Sequence, residues 1–328
     1  MSRFAVDRFT WLILLAVLVA AVLPVRGWGV PVLGWVQVIG IACLFFLYGA
    51  RLSTEETIAG LKHWKLHVVI LAFTFVVFPL VGLALRVMTP SLLSPGLYAG
   101  VLFLCLVPST VQSSVTFTSI ARGNVAAAIV AASASNLVGV IVTPLLVLAL
   151  MQTTGTARVD ASAILDVVAQ LLLPFVLGQV SRRWTADWVT RNRAALKWFD
   201  QGIIVLVVYL AFSAGMREHI WTTVSLWQLV VLLVLSAALV AVMLWATWAL
   251  SGRLRFARPD RIAIQFCGTK KSLATGVPMA GVLFAGQPIG LIVLPLMIFH
   301  QIQLLACSAL ASHYAASTHP DDADDQSS

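Results

Sequence analysis

The chain has 328 residues, of which 60% are hydrophobic and only 10% charged, against roughly half apolar and a quarter charged in soluble domains. It breaks repeatedly into apolar stretches of about 20 residues, the length that crosses a hydrocarbon core of roughly 30 Å as helix, and it lacks the alternating ten-residue strands of a membrane barrel. The net charge of +8 does not call for a nucleic-acid partner, because the basic residues gather in loops, as they do on the cytoplasmic side of membrane proteins.

In chain order, the predicted spans are Phe9–Val25, Val30–Ala50, Leu66–Met88, Leu97–Ala121 and Val125–Met151. Ser162–Val180, Phe199–Met216, Leu226–Leu250, Ile262–Phe284 and Ile289–Tyr314 follow. The opening "MSRFAVDRFTWLILLAVLVAAVLPVRG" carries Asp7 and no convincing cleavage motif before Pro24, so it reads as an uncleaved first helix rather than a signal peptide. The fold class is therefore an all-α polytopic membrane protein of ten helices. The closing "THPDDADDQSS" has no apolar core to bury, and residues 319–328 read as a disordered acidic tail.

Loop charges support the even count. One side would carry Arg3, Arg8, Arg51, Lys62, Lys65, Arg122, Arg182, Arg183, Arg191, Arg193, Lys197, Arg253, Arg255, Arg258 and Arg261, the other only Arg26, Arg86, Arg158 and Arg217. That bias of 15 to 4 predicts an inner-membrane protein with both termini cytoplasmic. It also isolates Lys270 and Lys271, the two basic residues that topology does not explain. A lysine at the centre of a membrane helix costs roughly 3 kcal/mol on insertion scales and marks a candidate functional site.

Two spans are interrupted in corresponding places. The fourth reads "LCLVPSTVQSSVTFTSIARGN", where Pro108 is followed by Ser109, Thr110, Gln112, Ser113, Ser114, Thr116, Thr118 and Ser119. Proline removes a backbone donor and tends to break the helix, and broken backbone at membrane depth must be buried in protein or line a cavity. Hydroxyls that only bond back to their own helix are the bland alternative. The ninth offers Gly268, the run Thr269–Lys270–Lys271–Ser272, Gly276 and Pro278. Paired interrupted spans point to a transporter's midplane site, and they imply two inverted halves, 1–155 and 156–318. In the fifth span most small residues read as packing, while Asn136 reads equally as packing or as cavity lining. In the tenth, His300 is either a proton shuttle or an interhelical hydrogen-bond residue. If the ninth segment were continuous helix, Lys271 would share a stripe with Cys267 and Thr275, and Lys270 with Phe266 and Ala274. Cys43, Cys105, Cys267 and Cys307 have neither metal-ligand spacing nor a disulfide framework, so they read as packing residues and no metal or cofactor is expected.

The stretches "LYGARLSTEETIAGLKHWKLH", "VPSTVQSSVTFTSIARGNVAAA", "FCGTKKSLATGVPMAGVLF" and "LPLMIFHQIQL" together resemble the bile acid:sodium symporter family, in a branch shared by bacteria and eukaryotes. The resemblance spans essentially the whole chain. It implies ten helices in two inverted five-helix repeats, arranged as a core domain with crossed, broken fourth and ninth helices and a panel domain. It also implies sodium ligands at Ser113, Ser114 and approximately Asn136. The ninth helix departs from that pattern. Sodium-coupled members have a glutamate, then glycine, then a Gln-Asn pair; here Gly268 matches the glycine, Phe266 or Gln265 stands near the glutamate position, and the two lysines stand at the amides. At 4 Å, even an effective dielectric of about 20 leaves roughly 4 kcal/mol of repulsion between unit charges, so the usual sodium site does not fit.

These readings make a secondary transporter of a small organic anion, coupled to protons or using a lysine as a built-in cation, with Na+ coupling as the family's alternative. The candidate binding residues are Gln112, Ser113, Ser114, Thr116, Asn136, Gly268, Thr269, Lys270, Lys271, Ser272 and His300. A different class is a non-transporting regulator that keeps the transporter fold. An enzyme is disfavoured, because no nucleophile–base or metal-ligand spacing is present. The expected partners are an anionic small molecule and membrane lipid.

Overall fold

The computed structural model describes residues 8–51, 63–151, 168–217 and 224–317. The boundary between the two expected halves, the acidic tail, Arg3, Lys62 and Arg158 all lie outside the described residues. Among the described residues the chain is helical throughout, without strands. The elements are α1 (Arg8–Val22), α2 (Gly29–Arg51), α3 (Trp64–Met88), α4 (Pro95–Leu106), α5 (Val111–Ile120) and α6 (Val125–Met151), then α7 (Leu173–Arg191), α8 (Arg193–Arg217), α9 (Leu226–Arg253), α10 (Arg258–Thr269), α11 (Leu273–Leu283) and α12 (Ile289–Ala316).

Six of these, α2, α3, α6, α8, α9 and α12, are long and apolar enough to cross a membrane, and α4 with α5 forms a seventh span bent by 61°. The protein is therefore a multi-pass membrane protein. Helix α1 has a shorter apolar run, Trp11–Val22. The far half of α7 carries Arg182, Arg183, Asp187 and Arg191, and the α10–α11 pair carries Arg258, Asp260, Arg261 and both lysines. Exposed Leu14, Leu18, Trp35, Leu145, Leu233 and Trp245 give the outer helices the apolar exterior that lipid solvates.

Local sequence sets the helix starts. Ser225 and Gln228 form a reciprocal capping box ahead of α9, which satisfies two orphan backbone donors. Ser94 accepts from the Leu97 N–H, with Pro95 in the first turn of α4. Helices α4 and α11 are hydrophobic on every side, with Leu97–Leu106 and Leu273–Leu283 buried almost without exception, as helices enclosed by other helices must be. Phe103 of α4 meets Phe284, just past α11, edge to face at 5.2 Å.

Helix α2 lies against α7 at backbone distance. A Cβ on Gly178 would sit 2.0 Å from the Phe46 carbonyl oxygen, and one on Gly49 would sit 2.0 Å from that of Phe175. This reciprocal glycine crossing is the small-residue contact by which membrane helices approach closely. Helix α1 packs on α8, which also touches α2, α11 and α12; α12 in turn crosses α4 and packs on α9 and α11.

The ninth segment breaks within its polar run, just past Gly268. Gly276 and Pro278 lie inside α11, and the chain is extended instead at Lys270 (φ −83°, ψ 152°) and Ser272 (φ −85°, ψ 111°). Because the break falls on the lysines themselves, the helical stripes that would have sorted them do not exist. Ser272 caps α11 by accepting from the Thr275 N–H at 3.1 Å, so the polar run both ends one helix and starts the next.

Candidate functional site

The two breaks meet. Between α4 and α5 the chain is extended at Val107 and Thr110, and between α10 and α11 it is extended at Lys270 and Ser272. Extended backbone inside a membrane protein leaves donors and acceptors that must be paired within the protein. Here each break pairs the other. The Ser272 N–H donates to the Pro108 carbonyl at 2.8 Å, and the Ser109 hydroxyl donates to the Cys267 carbonyl at 2.6 Å. Ser114 donates to the Phe266 carbonyl at 3.3 Å, so two serines of the fourth span cap the free carbonyls ending α10.

Asn136 of α6 ties both breaks together. Its amide donates to the Ser109 carbonyl at 2.7 Å and to Ala132 at 3.1 Å, and its carbonyl accepts from the Thr275 hydroxyl at 2.8 Å. Gln303 of α12 does for Lys271 what a neighbouring strand would do. It accepts from the Lys271 N–H at 2.9 Å and donates to the Lys271 carbonyl at 2.8 Å, and its amide nitrogen also lies 2.8 Å from His300 Nδ1. His300 thus stands one turn before Gln303 on α12, in contact with the side chain that pairs Lys271.

Both lysines are fully buried, at 0% exposure, in unlike surroundings. Lys271 Nζ donates to three backbone carbonyls, Val107 at 2.8 Å, Cys105 at 2.9 Å and Thr74 at 3.0 Å, and sits 4.2 Å above the Phe78 ring. Cys105 belongs to the last turn of α4, where unpaired carbonyls and the helix dipole favour a cation. Thr74 lies in a π-turn of α3, Phe73–Val77, where the ordinary helical ladder is interrupted. Three carbonyl oxygens converging on one positive charge form a cation site, and the cation in it is covalently attached to the chain.

Lys270 Nζ makes no hydrogen bond with the described residues. It lies 3.8 Å from the Phe117 ring centre and 5.6 Å from that of Phe266. Those two rings are its cation–π partners. No carboxylate of the described residues pairs with either lysine.

The remaining candidates divide. Ser114, Gly268, Thr269 and Ser272 are buried at the crossing, and Thr269 lies 3.4 Å from the Thr247 hydroxyl. Ser113 is half-buried against Thr110 at 3.3 Å, while Gln112 and Thr116 are exposed on α5. Gln265, near the position of the family's glutamate, bonds instead to the Leu244 carbonyl and to Tyr314. Residues absent from the candidate set but present at the site are Ser109, Thr275 and Gln303, whose polarity at membrane depth was a usable signal, and Thr74, Phe78 and Phe117, which offered none. Among the described residues no group of His, Cys, Asp and Glu could hold a metal ion.

The description of the SBF-like CPA transporter family matches residues 7–316. The chain belongs to that family. The Pseudomonas aeruginosa protein PA2026 is 51% identical over 313 residues, covering 95% of this chain and 94% of that one. YfeH of Escherichia coli, whose name includes the word symporter, is 46% identical over 322 residues, covering 98% and 97%. Sodium/bile acid cotransporter 7 of Rattus norvegicus is 31% identical over 278 residues, covering 84% and 82%. The family is one of transporters, and the relatives of this chain include bacterial and animal proteins.

Proposed function

We propose that the protein is a secondary transporter of a small organic anion, working by alternating access in the cytoplasmic membrane with both termini cytoplasmic. In this reading ten spans form two inverted repeats, 1–155 and 156–318, and the crossing of α4–α5 with α10–α11 is the pivot. The observation that carries it is Lys271, whose ammonium fills a three-carbonyl site where a free coupling cation would otherwise bind. Lys271 is thus a permanent substitute for that cation. Coupling passes to protons, and Lys270, which has no hydrogen bond to break, is the group that exchanges them. The anion is met on the accessible side by the N-terminal end of α5, with Gln112, Ser113 and Thr116, because a half-helix N-terminus favours negative charge.

The test is a proteoliposome assay with an internal pH dye, run in sodium and in choline buffers, comparing wild type with Lys270→Ala and Lys271→Ala. The expected result is proton movement that does not need sodium and is lost in Lys270→Ala. Proton movement that requires sodium and survives both substitutions would sink the reading. Silence in every condition would favour a regulator that retains the transporter fold.

A further inference from the structure

Among the described residues, the positive φ values outside glycine belong to two arginines, Arg122 (φ 57°) just past α5 and Arg255 (φ 59°) just past α9. Both sit in the same helix-ending turn. The Arg122 N–H donates to the Ser119 carbonyl at 3.1 Å and the Gly123 N–H to Thr118 at 2.8 Å; the Arg255 N–H donates to Gly252 at 3.0 Å and the Phe256 N–H to Ser251 at 3.1 Å. The left-handed position of that motif usually holds glycine, because a Cβ there crowds the carbonyl oxygen that follows. At the first turn, Gly123 stands one position beyond the residue that needs it. Residues held in such conformations gather where a side chain is put to use. Both arginines are exposed, and neither guanidinium has a hydrogen bond or ion pair with the described residues.

The two loops are docked on each other. Asn124, two residues past Arg122, donates its N–H to the Pro259 carbonyl at 3.0 Å and its side-chain amide to Asp260 Oδ1 at 2.7 Å. Its own Oδ1 caps α6 by accepting from the Ala127 N–H at 3.0 Å. Asp260 is the one carboxylate in the stretches 121–124 and 254–260, and Asn124 occupies it. Phe256, next to Arg255, packs against the cluster formed by Leu66 of α3, Ala127 of α6 and Ala263 of α10. Exposed apolar side chains flank the arginines, Ile120 (44%) beside the first and Leu254 (51%) beside the second. Exposed basic and apolar groups together at the ends of membrane helices suit the headgroup layer, where guanidinium groups take phosphate oxygens two at a time. Loop topology explains arginines in these loops, but not at the two positions where the backbone disfavours them.

We propose that the docked α5–α6 and α9–α10 loops bind anionic phospholipid at the membrane surface, with Arg122 and Arg255 as the contacts to lipid phosphate. Basic groups beside a helix end gain from a negatively charged leaflet in this way. The charge is retained at a cost to the fold, which a glycine at either position would remove. This surface stands or falls independently of Lys270, Lys271 and the transport reading.

The experiment uses the full chain in detergent. Phosphatidylglycerol or phosphatidylcholine is titrated in, and bound lipid is counted by native mass spectrometry; melting temperature without added lipid is measured in parallel. Wild type is compared with R122G/R255G, which removes charge and strain, and with R122Q/R255Q, which removes the charge alone. The control R191Q/K197Q removes two exposed charges from α7 and α8. The expected result is a preference of wild type for phosphatidylglycerol that weakens about tenfold or more in both Arg122/Arg255 variants and persists in the control. R122G/R255G should also melt at or above wild type, a gain that R122Q/R255Q lacks. Unchanged phosphatidylglycerol binding in R122Q/R255Q, an equal loss in the control, or R122G/R255G melting below wild type would overturn the proposal. So would a melting shift with inorganic phosphate, lost in R122Q/R255Q, in a protein that binds both lipids alike, since free phosphate would then be the occupant.

Discussion

Replacing each lysine by methionine should move stability in opposite directions. Methionine keeps most of the side-chain volume and removes the charge. At Lys271 the change deletes three charge-assisted hydrogen bonds, to Thr74, Cys105 and Val107, each worth about 1.5–3 kcal/mol. The gross loss is therefore roughly 4.5–9 kcal/mol, offset by about 3 kcal/mol for no longer holding an ammonium at membrane depth. Lys271→Met should lose about 1.5–6 kcal/mol. At Lys270 the deleted interaction is cation–π contact, 3.8 Å from Phe117 and more distantly from Phe266, worth about 2 kcal/mol when desolvated. The same offset of about 3 kcal/mol makes Lys270→Met neutral or stabilising by about 1 kcal/mol. The assay is thermal unfolding of the full chain in one detergent, followed by fluorescence of its 11 tryptophans. Lys271→Met should melt about 3 °C or more below wild type, using roughly 2–4 °C per kcal/mol, and Lys270→Met at or above it. Equal losses in both variants, or an unchanged Lys271→Met, would refute the assignment of unlike environments.

Gly178→Ala puts a Cβ 2.0 Å from the Phe46 carbonyl oxygen, so α2 and α7 must part, at about 1–3 kcal/mol or more for overpacking. Gly202→Ala, with open space around it, should stabilise α8 by up to about 1 kcal/mol; folded yield by size exclusion compares the pair. Gln303→Leu strands the N–H and carbonyl of Lys271, at about 1–3 kcal/mol each, and should lower the melting temperature; its loss and that of Lys271→Met should fail to add, since both disturb one network. A double-mutant cycle of Asn136→Ala with Thr275→Val tests the 2.8 Å bond between them and should return a coupling of about 0.5–3 kcal/mol. Strict additivity would mean that this bond does not join the two breaks.

What the sequence disclosed at the site follows from what the membrane forbids. Lys270 and Lys271 stood out because nothing apolar tolerates them, and Pro108 with its train of hydroxyls marked the first break. The second break was legible in its polar run, where the extended residues Lys270 and Ser272 lie, whereas Gly276 and Pro278, named with it, fall inside α11. The acceptors around Lys271 were illegible for a simple reason. Every residue has a carbonyl, so Thr74, Cys105 and Val107 show no sign in their side chains that their backbone is free. Arg51 and Asp200 are 149 positions apart, so nothing local in the sequence announces their pairing.

The tether on Lys271 has a thermodynamic consequence for the transport reading. A dissociable cation enters from one compartment and leaves into the other, so each turnover draws on its concentration gradient. A cation fixed to the backbone makes the outward journey and the return, and over a full cycle it performs no work. Through that site the carrier can only equilibrate its solute or swap one molecule for another. Accumulation against a gradient has to be driven through a different group, and among the described residues the ammonium over the Phe117 ring is held at the crossing without hydrogen bonds.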